Sequence, residues 1–252
     1  MLFHVALNEF SFNRKNLDVV VSDLMDAGTV SKEIVVLMHG LGLAMLKTNE
    51  QYRKAVSLAP YVLADGVAVS LVNALCNGRV PRITGYDFFY SVMTAANVSG
   101  DKVFFLGGSV STLEKLRDVV GRKWPNVSSD FYSPPFKNEF SDEETREMVR
   151  AINLASPKIL WVGLSAPKQE IWLSKNSELL DFQIGAGIGA VFDFMAGTVR
   201  RAPSRVSYFG LEWLYRGFRS PKQLIRRNLF GFPILLWILA ENIYRRYFAR
   251  KS

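Results

Sequence analysis

The chain has 252 residues, of which 49% are hydrophobic and 21% charged, and its net charge is +8. This length suits one large α/β domain with or without a small appendage, and the apolar content excludes a disordered chain. Cys76 has no second cysteine to pair with, which excludes a disulfide framework. One Cys and two His also leave too few ligands for a structural zinc site.

Apolar runs alternate with helical patterns along most of the chain. In chain order they predict a strand at 34–38, a helix at 48–58, a strand at 61–64, a helix from 65 to about 75, a helix at 86–97, a strand at 102–106, a helix at 111–122, a helix that starts with a capping box at 141, and strands at 159–162, 182–185 and 190–194. Strands that alternate with helices predict an α/β fold: a Rossmann-like, mainly parallel sheet with helices on both faces.

The excess positive charge lies at the C-terminal end. Residues 200–252 contain 12 Lys and Arg against 2 Asp and Glu, whereas residues 1–199 contain 19 against 21. We therefore divide the chain into a core, 1–199, and a basic, amphipathic appendage, 200–252. Such a charge block predicts a polyanionic partner: nucleic acid, a phosphate-rich ligand or an anionic membrane surface.

The appendage has the composition of a membrane-associating segment. Its apolar run, 229–240, is too short to span a bilayer, for which about 20 residues are needed. Arginines flank this run, and aromatic residues follow it, which is typical of a helix lying on an anionic leaflet. We expect no nucleic-acid partner, because a nucleic-acid arm has little use for such an apolar block. The alternative is a helix packed on the domain or at a dimer interface.

Three glycine-containing turns follow predicted strands, at 64–66, 107–109 and 163–167. Ligands of open α/β sheets bind at the carboxyl ends of strands, where such turns can hold a phosphate on backbone N–H groups. None of the turns is a Walker loop or a complete GxGxxG, and tight strand–helix packing explains the Gly107 turn equally well. The alternate glycines of 185–189 allow close approach of a ligand or of another strand. These turns predict a nucleotide-type ligand.

Several longer stretches form an ordered set between about residues 30 and 230. They read Ala64-Asp65-Gly66, Arg82-Ile83-Thr84-Gly85-Tyr86-Asp87, Val162-Gly163-Leu164-Ser165-Ala166-Pro167-Lys168-Gln169-Glu170, Gly187-Ile188-Gly189-Ala190-Val191-Phe192-Asp193-Phe194, Arg201-Ala202-Pro203 and Gly210-Leu211-Glu212-Trp213-Leu214-Tyr215-Arg216, followed by Pro221 and Arg226-Arg227. In order and spacing this set resembles the WecG/TagA/CpsF family of bacterial glycosyltransferases.

The resemblance implies an enzyme that moves a hexose from a UDP-sugar to a polyprenyl-diphosphate-linked sugar, with inversion at the anomeric carbon. It implies a Rossmann-like core that self-associates and an appendage that meets the membrane and helps to close the site. We therefore expect a peripheral protein on the cytoplasmic face of the cell membrane. The N-terminal ten residues, which lack a signal-peptide pattern, favour the same compartment.

Asp65 is the candidate catalytic base. Inverting transfer needs a base that takes the proton of the acceptor hydroxyl, and Asp65 ends a predicted strand at the ligand edge. The family resemblance points to the same position. The alternative is a helix N-cap, since Asp is a preferred capping residue.

His39 marks a departure from the family pattern. Leu37 and His39 stand where many members carry a Thr-x-Asn pattern. His39 is therefore a second catalytic candidate, either as a hydrogen-bonding replacement for the amide or as an acid/base group near neutral pH. The alternative is a structural histidine.

Arginines are the candidates for stabilising the departing UDP. The sequence contains no Asp-x-Asp motif, so we expect neither a metal ion nor another cofactor, and a guanidinium suits phosphate oxygens. By the resemblance, appendage arginines reach the site, although lipid headgroups could instead be their partners. The substrate-binding candidates are Arg82, Thr84, Asp87, Gly163, Pro167, Gln169, Glu170, Gly187, Asp193, Arg216, Arg226 and Arg227.

Several of these candidates have structural alternatives. Gln169 and Glu170 follow a proline at a strand-to-helix turn, which predicts a position at the pocket rim. Asp193, at a predicted strand end, is expected to meet the nucleotide's ribose or base, or else to bond a neighbouring turn. Thr84 and Asp87 could simply cap the helix that follows them.

Two other function classes remain open on sequence alone. A nucleotide-dependent oxidoreductase would need a complete glycine fingerprint after the first strand, which ends here in His39-Gly40-Leu41-Gly42 without the third glycine. A non-enzymatic membrane-surface binding protein would leave Asp65, Arg82 and Gln169 without a shared purpose.

Overall fold

The computed structural model describes residues 7–27, 31–199, 233–234 and 236–244. A 3-10 turn, Leu7–Glu9, precedes the regular elements. The helices are α1 Leu17–Asp26, α2 Gly40–Thr48, α3 Glu50–Ser57, α4 Val67–Cys76, α5 Gly85–Ser99, α6 Val110–Lys123, α7 Asp142–Ala155, α8 Lys168–Asn176 and α9 Gly189–Met195. The strands are β1 Glu33–Met38, β2 Tyr61–Ala64, β3 Lys102–Gly107, β4 Ser128–Tyr132, β5 Ile159–Gly163 and β6 Ile184–Gly187. Residues 233–234 and 236–244 are helical and are called the C-terminal helix below.

The six strands form one sheet in the order β2-β1-β6-β5-β3-β4, and every neighbouring pair is parallel. The inner strands are apolar and buried on both faces, as in β5, where Ile159 to Val162 are solvent-inaccessible. A parallel sheet requires helical crossovers that cover its faces. The predicted Rossmann-like α/β fold is therefore confirmed.

Helices cover both faces of the sheet, each over its own core. On one face, buried side chains of α2, α3, α4, α7 and α8 pack against the strands. On the other, α1, α5, α6 and α9 do so, around an aromatic cluster in which the Phe89 ring lies 5.1 Å from the Trp161 ring. The crossovers of the parallel strands thus cover both faces of the sheet.

The prediction of a strand at 190–194 is wrong, because these residues form helix α9. Val191, Phe192 and Met195 are buried at helical spacing against the second core, and this packing decides the conformation. The strand predicted at 182–185 begins later, at Ile184, and ends at Gly187. Strand β4 was not predicted, since its partly exposed, polar residues give little apolar signal.

The C-terminal helix packs on the domain. Ile238 is fully buried in the first core, and the Leu7 N–H donates to Asn242 Oδ1 at 3.2 Å. Lys47 of α2, only 2% exposed, forms an ion pair with Glu241 at 2.7 Å. On its outer side Trp237 is half exposed. Docking on the domain, the alternative considered for this segment, therefore holds for the described part of the appendage.

Among the described residues, no helix combines the length and the apolar character needed to cross a bilayer.

Candidate functional site

All strands point the same way, so their carboxyl ends share one edge of the sheet. At this edge β1 leads into α2 on one face, whereas its neighbour β6 leads into α9 on the other. The same reversal separates β5, followed by α8, from β3, followed by α6. Such switch points open a crevice above the strand ends, where α/β proteins bind their ligands.

Asp65 directly follows β2 at this edge. Its backbone N–H donates to Met38 O at 2.8 Å, which holds it beside the end of β1. The N-cap of α4 is Gly66, with φ +106° and no side-chain cap, so Asp65 is not the capping residue considered from the sequence. A Cβ on Gly85 would lie 3.8 Å from Asp65 Oδ2. The carboxylate therefore faces the start of α5.

Arg82 lies beside the same strand end. Residue 82 forms a parallel bridge with Ala64, and the Ile83 N–H donates to Ala64 O at 3.0 Å. The chain segment before α5 thus acts as a short additional strand along β2. Arg82 therefore lies beside Ala64, the residue before Asp65.

Thr84 and Asp87 form the N-cap of α5. Thr84 Oγ1 accepts from the Asp87 N–H at 3.2 Å and donates to Asp87 Oδ2 at 2.7 Å. This is the capping role that sequence reasoning gave as the alternative for the pair. Substrate contacts of the two residues stay a prediction.

His39 follows β1 and lies next to Asp65, since Met38 and Ala64 are register partners. It is the N-cap of α2, and its Nδ1 accepts from the Gly42 N–H at 3.1 Å. A ring nitrogen that accepts carries no proton, so the neutral imidazole carries its proton on Nε2. The structure therefore places both catalytic candidates side by side.

Gln169 connects three elements beneath the edge. It is 6% exposed, its Oε1 accepts from the Gly189 N–H at 3.2 Å, and its Nε2 donates to Glu170 Oε1 at 2.8 Å. A Cβ on Gly187 would lie 2.7 Å from Gln169 Cγ. The alternate glycines of this segment thus give room to the Gln169 side chain, which lies inside the protein rather than at the predicted rim.

Glu170 is buried as well, with 5% of its surface exposed. Its Oε2 has no hydrogen-bond partner within the described part of the chain. Burial raises the pKa of this carboxyl to about 7, against the opposing effect of the Gln169 hydrogen bond. Burial and the nearby Glu170 also raise the pKa of Tyr52. A buried carboxyl with a raised pKa therefore lies in the first turn of α8.

Two turn glycines serve close packing. A Cβ on Gly107 would lie 2.5 Å from the carbonyl oxygen of Gly163, and one on Gly163 would lie 2.5 Å from the Phe192 ring. Gly107 also has φ +106°, a conformation that favours glycine. This agrees with the packing alternative for the Gly107 turn. Pro167, joined to Ala166 by a cis peptide bond, occupies the N-cap position of α8.

Asp193 is not at a strand end, which corrects the sequence prediction, because it lies within α9. Thr198 Oγ1 donates to Asp193 O at 3.1 Å and contacts Asp193 Oδ1 at 3.2 Å. These bonds tie the end of α9 to the following turn, which is the structural alternative for this residue.

The appendage arginines Arg216, Arg226 and Arg227 lie outside the described residues. Within the described ranges, no cluster of three or more His, Cys, Asp and Glu side chains is arranged to hold a metal ion.

A cavity beside Arg82 adds two residues that sequence reasoning missed. It has a volume of about 480 Å³ and is lined by Arg82 together with Arg14 and Arg79. Arg14 is 65 residues or more away from the other two along the chain, so no spacing motif relates them. Only the fold brings these three arginines to one cavity.

This fold defines a doubly wound α/β protein with two switch points in its parallel sheet. The chain belongs to the glycosyl transferase WecG/TagA/CpsF family, which it matches over residues 5–249. The family prediction from the sequence motifs is thus confirmed.

A curated relative gives a more specific comparison. The chain is 32% identical over 174 residues to the N-acetylglucosaminyldiphosphoundecaprenol N-acetyl-beta-D-mannosaminyltransferase of Bacillus spizizenii. The match covers 69% of this chain and 66%, just under two thirds, of the relative.

Proposed function

We propose that the protein is an inverting, metal-independent glycosyltransferase. It transfers a hexose from a UDP-sugar to a polyprenyl-diphosphate-linked saccharide in the synthesis of a bacterial cell-surface polysaccharide. The observation that carries the proposal is that the described motif segments, although far apart in sequence, include residues at one edge of the sheet: Asp65 follows β2, Arg82 pairs beside it, and Gly163 and Gly187 end β5 and β6. The relative's name supports it, since that name specifies a sugar acceptor on undecaprenyl diphosphate.

Asp65 acts as the base in this mechanism. Its carboxylate takes the proton of the acceptor hydroxyl while the hydroxyl oxygen attacks the anomeric carbon of the donor. The bond between that carbon and the diphosphate oxygen breaks, and UDP leaves with the electron pair. Attack from the face opposite to UDP inverts the anomeric centre. His39, next to Asp65, orients the acceptor or shares the proton.

Arginines stabilise the charge that develops on UDP. Arg82 lies beside Asp65 at the strand edge, and its guanidinium is permanently charged and suited to phosphate oxygens. Arg216, Arg226 and Arg227 contribute from the appendage. A lack of any Asp-x-Asp motif in the sequence favours this arrangement over a metal ion.

The decisive experiment measures UDP release from a panel of UDP-hexoses with a short-chain polyprenyl-diphosphate-linked sugar, in the presence of EDTA. We expect acceptor-dependent release from one donor and a fall of at least about 100-fold in Asp65→Asn, the usual loss when a general base is removed. Asp118→Asn, a change at an exposed carboxylate on α6, is the matched control and should keep full activity. Unchanged UDP release in Asp65→Asn would show that another residue is the base, and His39 would be the next candidate. No release and no UDP binding would refute the proposed activity.

The appendage attaches the enzyme to the cytoplasmic face of the membrane. Its surplus of arginines and the exposed Trp237 support contact with anionic lipid headgroups. Sedimentation with anionic vesicles should bind the full chain, and higher salt should release it. Arg245→Glu with Arg246→Glu should weaken binding strongly, at about 1 kcal/mol per basic residue. The double change Lys115→Glu with Arg122→Glu, at exposed positions of α6, should weaken vesicle binding little. Equal effects of both pairs would exclude a specific role of the appendage.

A further inference from the structure

The cavity beside Arg82 lies between α4 and the chain segment that leads to α5. It is a depression of about 480 Å³ that is largely open to solvent. Val67, at its wall, is only two residues beyond Asp65, so the Cα atoms of these two residues lie within about 7 Å of each other.

The charged side chains that line the described part of the cavity are all positive. Arg14, Arg79 and Arg82 line it, and none of its lining residues in the described part of the chain is a carboxylate. Arg14 donates to Asn77 O at 2.8 Å, a neutral partner, and the described residues form no ion pair with Arg14 or Arg79. Guanidinium groups gathered in this way are stabilised by an anion with several oxygens, such as a diphosphate.

The other wall of the cavity is apolar and leads outward along α4. Val67, Leu71 and Leu75 follow one another at intervals of four residues, and Leu71 is 56% exposed. Residues at this spacing share one face of a helix, so they form a continuous apolar stripe that starts inside the cavity. Ser70, also in the wall, has a buried Oγ without a hydrogen-bond partner among the described residues.

We propose that this cavity binds the diphosphate and the first isoprene units of the acceptor lipid. Arg14 and Arg79 hold the diphosphate of the lipid, whereas Arg82 serves the UDP; the α4 stripe covers the prenyl chain, and the attached sugar extends toward Asp65. This assignment rests on the proposed function, since it names the binding place of the proposed acceptor.

Binding can be measured without catalysis. The full chain is titrated calorimetrically with farnesyl diphosphate while saturating UDP fills the nucleotide site, and with inorganic pyrophosphate in a parallel titration. We expect farnesyl diphosphate to bind more tightly than pyrophosphate, and Arg79→Glu to weaken it at least tenfold. Leu71→Asp should lower the affinity for farnesyl diphosphate but change the affinity for pyrophosphate by less than twofold.

Two matched controls use exposed residues of other helices, Arg122→Glu on α6 and Leu154→Asp on α7, and should change neither affinity by more than twofold. The proposal is overturned if UDP abolishes binding, if the cavity variants bind like the controls, or if pyrophosphate binds as tightly as farnesyl diphosphate. Failure of the proposed glycosyltransferase would instead show as absent UDP release, whatever the outcome of the titrations.

Discussion

Replacing Glu170 by Gln tests whether the buried carboxyl in the first turn of α8 controls stability near neutral pH. In the folded protein Glu170 Oε1 receives a hydrogen bond from Gln169 Nε2, and Oε2 is buried without a partner among the described residues. Glutamine has nearly the same shape, and its Oε1 can accept the same bond. The substitution therefore removes the titration and little else.

The magnitude follows from the pKa. Burial raises the pKa of Glu170 from 4.5 to about 7, which corresponds to about 3 kcal/mol of preference for the protonated form in the folded state. Between these two pH values the unfolded chain has lost the proton and the folded one keeps it. The free energy of unfolding must therefore fall as the pH rises from 4.5 to 7, by up to about 1.4 kcal/mol per pH unit, and then level off.

The assay is urea unfolding of wild type and Glu170→Gln at a series of pH values from 5 to 8. All other titrating groups are shared, so the difference between the two proteins isolates Glu170. We expect the variant to gain about 2 to 3 kcal/mol relative to wild type between pH 5 and pH 8. Parallel pH profiles would show that Glu170 is ionised in the fold at pH 5 and would refute the reasoning.

Two further predictions concern the close backbone contact at Gly107 and the Lys47–Glu241 ion pair. Gly107→Ala should destabilise the protein by about 3 kcal/mol and lower its Tm by roughly 10 °C, because its Cβ would meet the Gly163 backbone at a positive φ. Gly121→Ala, in open space on α6, should instead stabilise by up to about 1 kcal/mol, and equal Tm values for the two variants would contradict the packing argument. Glu241→Gln should cost about 2 kcal/mol in urea unfolding, because it leaves buried Lys47 without its counter-charge. Faster hydrogen exchange at 236–244 should accompany that loss, and unchanged exchange would show that the ion pair does not hold the helix.

The fold was predictable where apolar runs were long and bounded. Strands β1, β3 and β5 consist almost entirely of buried apolar residues and were predicted nearly to their ends. Helix α9 was mistaken for a strand because its short apolar sequence fits either period. Only the finished second core, into which Phe192 packs, selects the helix.

The candidate site was predictable in its position but less so in its contacts. A strand end followed by a glycine turn placed Asp65 at the ligand edge, because that inference needs only local sequence. The burial of Gln169 depends on Gly187 and Gly189, which come from another strand end about twenty residues later. Arg14 and Arg79 reach one cavity through tertiary packing alone, so no local pattern could have related them.

The contacts of the C-terminal helix have a consequence for synthesis of the protein. Asn242 binds the backbone of Leu7 across 235 positions of the chain, and Ile238 completes a core whose other members are made long before. Before the C-terminal helix has been synthesised, Lys47 lacks its counter-charge and the apolar surface that Ile238 buries is exposed. A truncated chain that lacks this helix keeps the apolar surface exposed to chaperones and proteases. Full stability therefore requires that translation has passed the C-terminal helix.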